Sequence, residues 1–326
     1  MKALALLSGG LDSILAVKLI QEQGIEVVAV NFISPFCLCG KSGCGAAGIA
    51  EQLEIPLKIM NVGEDYLKIL RNPKYGYGKN MNPCIDCRIF MFKKAKKYAE
   101  EIGALFLFTG EVLNERPMSQ HRKALSVIEK EAGLEGKILR PLSAKLLPET
   151  EAEKKGWVNR EKLLDISGRS RKKQIKLTKE FGIKNYPCPA GGCLLTYKEF
   201  AAKIRDLFKH KKKVGIKDIN LLKIGRHFRF GKNKIIVGRN ETENKQLERM
   251  RGKNDYCFEV PDCGSPITLL QGPKTREAER KAAALTLRYS DIKLGEALVK
   301  FGREKMDKSV VVPALDASEI EELRMK

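Results

Sequence analysis

Two short stretches of this 326-residue chain concentrate side chains capable of chemistry. The first is "LLSGGLDS", Leu6 to Ser13, where Ser8, Gly9, Gly10 and Ser13 form a turn between an apolar run and a helix-like run. Glycines let backbone N–H groups face an anion, a helix start adds partial positive charge, and serine hydroxyls donate further. The stretch reads as a phosphate cradle, with Asp12 open between a helix cap and a functional carboxylate. It is neither a G-x-x-x-x-G-K-[ST] loop nor a G-x-G-x-x-G turn. The second stretch is "MNPCIDCRIF", where Cys84 and Cys87 stand three residues apart. Asn82 suits an N-cap and Pro83 the first helical position, so both thiols would share one face of a first turn. A helix N-terminus lowers a thiol pKa toward thiolate, the form that binds metal or attacks. C-x-x-C alone is open between zinc, a redox pair, an iron–sulfur cluster and buried structural cysteines. Its expected partner is "PCPAGGCLLT" (187–196), which offers Cys188 and Cys193 in a glycine-rich loop.

These residues need elements to position them. "KALALL" (2–7), "IEVVAVNF" (25–32), "IPLKIMNV" (55–62) and "ALFLFTG" (104–110) read as buried strands. Helix-period runs lie between them, two ending at glycine. That alternation predicts an α/β fold with a doubly wound, mostly parallel sheet and binding loops at the strand C-terminal ends. From about Leu142 to Ile183 the sequence reads as helical, polar and basic, including "GRSRKKQIKLTK". A helix with Phe200, Ile204, Leu207 and Phe208 on one face runs into "KHKKK" (209–213). Composition places a catalytic domain over 1–200 and a smaller basic α+β domain over 201–326. In the latter, "RHFRFGKNKIIVG" (226–238) predicts a hairpin turning at Gly231 to Asn233, and "NETE" (240–243) a capping box.

Charge and cysteine usage narrow the function. Sixty-one basic against 40 acidic side chains give +21. Residues 201–326 hold 29 Lys and Arg and 18 Asp and Glu, so +11 lies there and +10 in the first 200. Such a surplus favours a polyanion, nucleic acid foremost. In the hairpin, Arg226, His227, Arg229, Lys232, Lys234 and Arg239 would hold phosphates, with Phe228 and Phe230 either stacked on bases or packed in the core. No apolar run reaches the roughly 20 residues of a membrane span, and no signal peptide opens the chain. A cytoplasmic protein without a membrane partner is expected. Nine clustered cysteines without a secretion signal suggest metal or thiol chemistry. Cys37, Cys39 and Cys44 have no standard zinc spacing and suit a second metal site or a sulfur relay; Cys257 and Cys263 read as structural. Arg116, Ser119 and Gln120 in "ERPMSQH" are candidate contacts to nucleotide or RNA.

SGGLDS resembles the PP-loop of the ATP pyrophosphatase superfamily, whose members cleave ATP between the α and β phosphates and leave an adenylated substrate. The resemblance implies ATP and Mg²⁺ as cofactors, with Asp12 helping to hold the metal and Ser8, Gly9, Gly10 and Ser13 the pyrophosphate. It places base and ribose near Asn31, Phe32, Thr109 and Gly110. The first 200 residues resemble the tRNA-thiolation branch (2-thiouridylases and 4-thiouridine synthetases) in SGGLDS, N-P-C-x-x-C, "TGEVLNERPMSQ" and "PAGGCLL". This implies Asp12, Cys84 and Cys193 as catalytic residues and Cys84, Cys87 and Cys193 as ligands of a [4Fe–4S] cluster. Cys193 is preferred for the family's "AGGC" pattern, and Cys188 is its rival. A cysteine persulfide, or Zn²⁺ if four cysteines converge, is the alternative. "GRHFRFGKNKIIVGRNETENKQLERM" with "DYCFEVPDCGSPITLL" resembles the NFACT-R RNA-binding domain. The expected function is ATP-dependent tRNA uridine thiolation with tRNA and a sulfur donor as partners. The alternatives are another AMP-forming PP-loop ligase or amidase, or a non-catalytic RNA-binding factor that senses nucleotide.

Overall fold

The computed structural model of the protein describes residues 1–38, 45–183, 186, 192–292 and 295–325, so Cys39, Cys44 and Cys188 lie outside the described residues. The chain forms two compact units, Met1–Thr196 and Tyr197–Lys326. The helix carrying Phe200 opens the second unit, because its Lys203 and Asp206 bond to Leu222 and Arg229 of that unit.

In the first unit the apolar runs become β1 (Lys2–Leu6), β2 (Glu26–Ile33), β3 (Leu57–Asn61), β4 (Phe106–Thr109) and the two-residue β5 (Ile138–Leu139). Helices α1 (Leu11–Gln21), α2 (Ala46–Gln52), α3 (Glu64–Arg71), α4 (Cys84–Glu101) and α5 (Arg122–Ala132) connect them, and α6 (Glu151–Lys154) and α7 (Lys172–Glu180) follow β5. The strands order as β3-β2-β1-β4-β5, every neighbouring pair parallel. This is the α/β sheet expected. Strand alternation sends Ala3, Ala5 and Leu7 into one apolar layer and Leu4 and Leu6 into the opposite one. β1 lies between β2 and β4, so the order reverses beside it, and the loops after β1 and β4 meet at the switch point where such sheets bind ligands.

Two local readings are corrected. Residues 142–183 are not mainly helical, for only α6, α7 and two short 3₁₀ turns form there; Gly156 and Gly168 adopt positive φ, which a helix cannot continue through. α4 begins at Cys84 with Pro83, not Asn82, at its cap, because Pro83 has ψ of 59°.

The second unit starts with α8 (Lys198–His210) and α9 (Ile216–Leu222), then the hairpin of β6 (Arg226–Phe230) and β7 (Asn233–Val237). After α10 (Glu241–Met250) come β8 (Tyr256–Glu259), β9 (Thr268–Gln271), α11 (Arg276–Arg288), β10 (Glu296–Gly302), β11 (Lys308–Pro313) and α12 (Ala317–Leu323). The six strands form one antiparallel sheet in the order β11-β10-β8-β9-β7-β6. One face packs on α11 through Phe228, Phe258, Ala282 and Leu285; the other meets Leu221 and Leu247 of α9 and α10. Asn240 caps α10 by accepting from the Glu243 N–H. The box is incomplete, because the Glu243 carboxylate accepts from Gly225 N–H and pairs with Arg239 instead.

Candidate active site

The turn after β1 is built as its composition requires. Gly9 has φ of +78°, a conformation open to glycine, and turns the chain into α1. The Ser13 hydroxyl donates to Gly10 O at 2.7 Å, Gly10 N–H donates to Ser8 Oγ at 3.3 Å, and Ser8 Oγ lies 3.3 Å from Ser13 Oγ. Over this turn lies a cavity of about 60 Å³ lined by Ser8, Gly10, Asp12, Ser13, Thr109 and Gly110, with Arg116 and Gln120 in its wall. The first-turn N–H groups of α1 add an anion-facing end. Gly110 is required by close approach: a Cβ there would stand 2.4 Å from Asp12 C and Ser13 N.

Asp12 is not the helix cap, a position held by Gly10. Its Oδ1 is buried and receives no hydrogen bond, while its Oδ2 lies 3.8 Å from Arg171. Burial first, and then the Glu115 carboxylate, raise its pKa from 3.8 to about 6; Arg171 only partly offsets them. A buried, orphaned carboxylate oxygen beside an anion-facing turn fits a hard divalent cation such as Mg²⁺. Arg171 also holds Glu115 at 2.5 Å. It comes from the basic run "GRSRKKQIKLTK" and stands at the cap of α7, and neither it nor Glu115 is identifiable from spacing.

A second cavity, of about 210 Å³, adjoins the first and shares Leu6, Ser8, Arg88 and Arg116 with it. Asn31, Phe32, Cys84, Cys87 and Cys193 line it, and so does Cys37. The predicted site residues therefore fall into two neighbouring groups, with Gly9 shaping the loop behind them. Asn31 is held by donating to Leu7 O at 2.7 Å. Cys37 sits opposite Cys193 in an isolated antiparallel bridge, framed by Leu38 N–H to Gly192 O at 3.3 Å and Leu194 N–H to Phe36 O at 2.8 Å. Sequence singled out the Cys37 loop but gave it no partner.

The thiols do not behave as a helix N-terminus alone dictates. Burial pushes Cys87 up to about 11 and Cys193 up to about 12. Cys84 is also raised by burial, against the pull of Arg88 and Arg116. The expected lowering is overturned because desolvation outweighs the helix end. Tyr66, 1% exposed, bonds to Cys87 and is itself held well above its ordinary value, mainly by burial. Among the described residues the cavity has four thiols and no carboxylate in its lining, a soft donor set suited to iron–sulfur or zinc. Again among the described residues, no three His, Cys, Asp or Glu side chains gather to hold one ion. Arg88 and Arg116 in the same wall would offset thiolate charge. Arg88 is itself fixed by Glu111 at 3.3 Å, which also accepts from buried Arg140 at 3.2 Å.

In the second unit the hairpin forms as expected, but it turns at Gly231 and Lys232, and Asn233 already pairs with Phe230 as the first residue of β7. Its charges are largely engaged within the unit. Arg229 pairs with Asp206, Arg239 with Glu243, and Arg226 stacks on Tyr289 at 4.5 Å. Lys234 is buried, which lowers its pKa to about 8. His227 is buried with Nε2 on Ile224 O at 2.7 Å. Phe228 is wholly in the core and Phe230 packs against it. A row of free cations interleaved with stacking rings is therefore not what the hairpin presents.

With this geometry in place, known proteins give a consistent match. Residues 1–145 match the family described as thiamine biosynthesis protein (ThiI). Residues 225–324 match the NFACT protein RNA binding domain. The tRNA-specific 2-thiouridylase MnmA of Pelobacter propionicus is 33% identical over 117 residues, 34% of this chain and 33% of that protein. The protein of the same name from Caldicellulosiruptor saccharolyticus is 33% identical over 125 residues, 33% and 35% of the two chains. The chain thus spans about a third of the length of the curated relatives it matches. A solved 4-thiouridine synthetase–RNA complex with bound ATP is 24% identical, covering 68% of this chain and 52% of that one, with a TM-score of 0.36. The ThiI match contains SGGLDS, the C-x-x-C and "TGEVLNERPMSQ", and it stops short of Cys193.

Proposed function

We propose that the protein is an ATP-dependent tRNA uridine thiolase. The observation that carries this reading is the shared wall between the phosphate-cradling cavity and the thiol cavity, formed by Leu6, Ser8, Arg88 and Arg116. Adenylation at a carbonyl oxygen and sulfur attack at its carbon act on one carbonyl in turn, so their groups must lie side by side. The relatives named for tRNA 2-thiouridylation and the match to an RNA-binding domain support the choice of substrate.

Ser8, Gly9, Gly10 and Ser13 cradle the pyrophosphate portion of ATP, and Asp12 holds Mg²⁺, which neutralises charge that would otherwise repel the carboxylate. A uridine carbonyl oxygen attacks the α phosphorus; its P–O bond forms as the bond to pyrophosphate breaks. Arg116, in both cavities, lies where negative charge develops. AMP then leaves as sulfur adds to the ring carbon. Cys84, Cys87 and Cys193 would hold a [4Fe–4S] cluster, which when bound would offer an open iron for the incoming sulfur. Tyr66 and Phe36, both buried, give the thiol cavity an apolar aromatic wall.

The test uses anaerobically purified protein, unmodified tRNA transcript, Mg·ATP and inorganic sulfide. Wild type should yield AMP and a thionucleoside detectable by mass spectrometry. Asp12→Ala should lose both products, and Cys193→Ala should keep AMP formation but lose the thionucleoside. Iron and sulfide content should fall in Cys84→Ala and Cys193→Ala independently of turnover. Full thiolation in the Asp12 and Cys193 variants would sink the reading, and AMP release without RNA would favour a small-molecule ligase.

A further inference from the structure

We propose that the second unit grips RNA phosphates with a cluster of three cations around Tyr256, rather than with its basic hairpin. The proposal rests on the reading that RNA is the partner, and it names the surface that meets it. The topology makes the cluster. In the antiparallel sheet, β8 starts, β9 ends, β10 ends and β11 starts at the same edge, as the pairs Tyr256–Leu270, Gly302–Cys257 and Phe301–Lys308 require. Lys274 follows β9, Arg303 follows β10 and Lys308 opens β11, so three cations from distant positions arrive together.

Their charged groups surround one ring. Lys308 Nζ lies 5.0 Å, Lys274 Nζ 5.3 Å and Arg303 Cζ 5.6 Å from the Tyr256 centroid. Lys308 also donates to the Tyr256 hydroxyl at 3.0 Å, and Lys274 to Leu270 O and Gly272 O, each at 2.9 Å. Among the described residues none of the three pairs with a carboxylate, in contrast to Arg229 and Arg239 of the hairpin. The described acids nearby make no ion pair with them: Asp255 is buried and already accepts from Gln271 Nε2 and Gly252 N–H, while Glu279 and Asp307 act on Lys274 and Lys308 only through their charge.

The ring and the charges of Glu279 and Asp307 offset part of the repulsion among the three cations, and a bound anion would occupy their remaining donors. Arg303 and Lys308 are exposed and reach it directly, while Tyr256, 5% exposed, is too covered to stack on a base. The cluster is therefore a phosphate grip that reads backbone rather than sequence.

The experiment measures binding of unmodified tRNA transcript by fluorescence anisotropy across a salt series, with the full-length protein. Changing Lys274, Arg303 and Lys308 together to Gln should weaken binding on the order of tenfold and flatten the log Kd against log salt slope by about two to three. Lys308→Gln alone, if the triple variant melts early, should flatten it by about one. The loss should be the same for oligo-U and oligo-A. Wild-type affinity and slope in a folded triple variant would overturn the proposal, as would a loss confined to one base. Because the readout is binding, a wild-type protein that binds tRNA yet forms no thionucleoside would refute the thiolation reading and leave this one standing.

Discussion

Asp12 shows how one buried residue can cost the fold stability. Its pKa is about 6 in the fold against 3.8 for an ordinary aspartate, so the fold prefers it protonated. That preference is fully present below pH 3.8 and is lost as pH rises through 6, leaving up to roughly 3 kcal/mol of destabilisation at neutral pH. Asp12→Asn should therefore raise the thermal midpoint of the nucleotide-free protein at pH 7 while abolishing stabilisation by Mg·ATP. A lower midpoint would show that Arg171 matters more than burial. The cradle was legible in sequence because SGGLDS is local: every partner lies within six residues. Arg171 and Glu115 were not legible, since only the fold carries them to Asp12. The thiol pKa values were misread for a related reason. A helix end can be seen in sequence, but depth of burial cannot.

Among the elements, the strongest constraint falls where β4 ends against the turn after β1. Gly110→Ala would press a methyl group onto the Asp12 and Ser13 backbone, and should cost about 1–3 kcal/mol, read as a drop in thermal midpoint together with weaker ATP binding. In the second unit, buried His227 has its pKa well below 6.5, first through desolvation and then through Lys234. The unfolded chain takes up a proton near pH 6.5 that the fold refuses, so stability is full above that pH and erodes below it, by up to about 1.4 kcal/mol per pH unit. Urea midpoints of wild type should fall from pH 7.5 to 5.5 more than those of His227→Gln. Strands β1, β2 and β4 were readable as buried apolar runs and the hairpin by its turn; β3 was readable as a strand but not as a buried one, because this edge strand carries Lys58 and leaves Ile59 43% exposed. β5 has two residues and no periodicity to read. β10 and β11 mix exposed valines and leucine with lysines, a pattern a strand shares with a helix surface.

For the whole molecule, the two units have separate cores. Expressed alone, residues 197–326 should melt cooperatively, as a sheet covered on both faces by its own helices should. Non-cooperative melting would mean that this unit needs the first one. Among the described residues no helix is long and apolar enough to cross a membrane. The +21 surplus was legible at once, but not where it is free to act, because Asp206 and Glu243 engage cations that composition counts as available. The facing pair of Cys37 and Cys193 has a practical consequence. Their flanking hydrogen bonds mark the close kind of antiparallel pair, with Cα atoms about 4.5 Å apart, inside the roughly 4.4–6.8 Å that a disulfide spans. Exposure to air therefore sets a clock: once an oxidant takes two electrons from the pair, Cys193 is tied to its neighbour, and a thiol reductant is what frees it for the role proposed above.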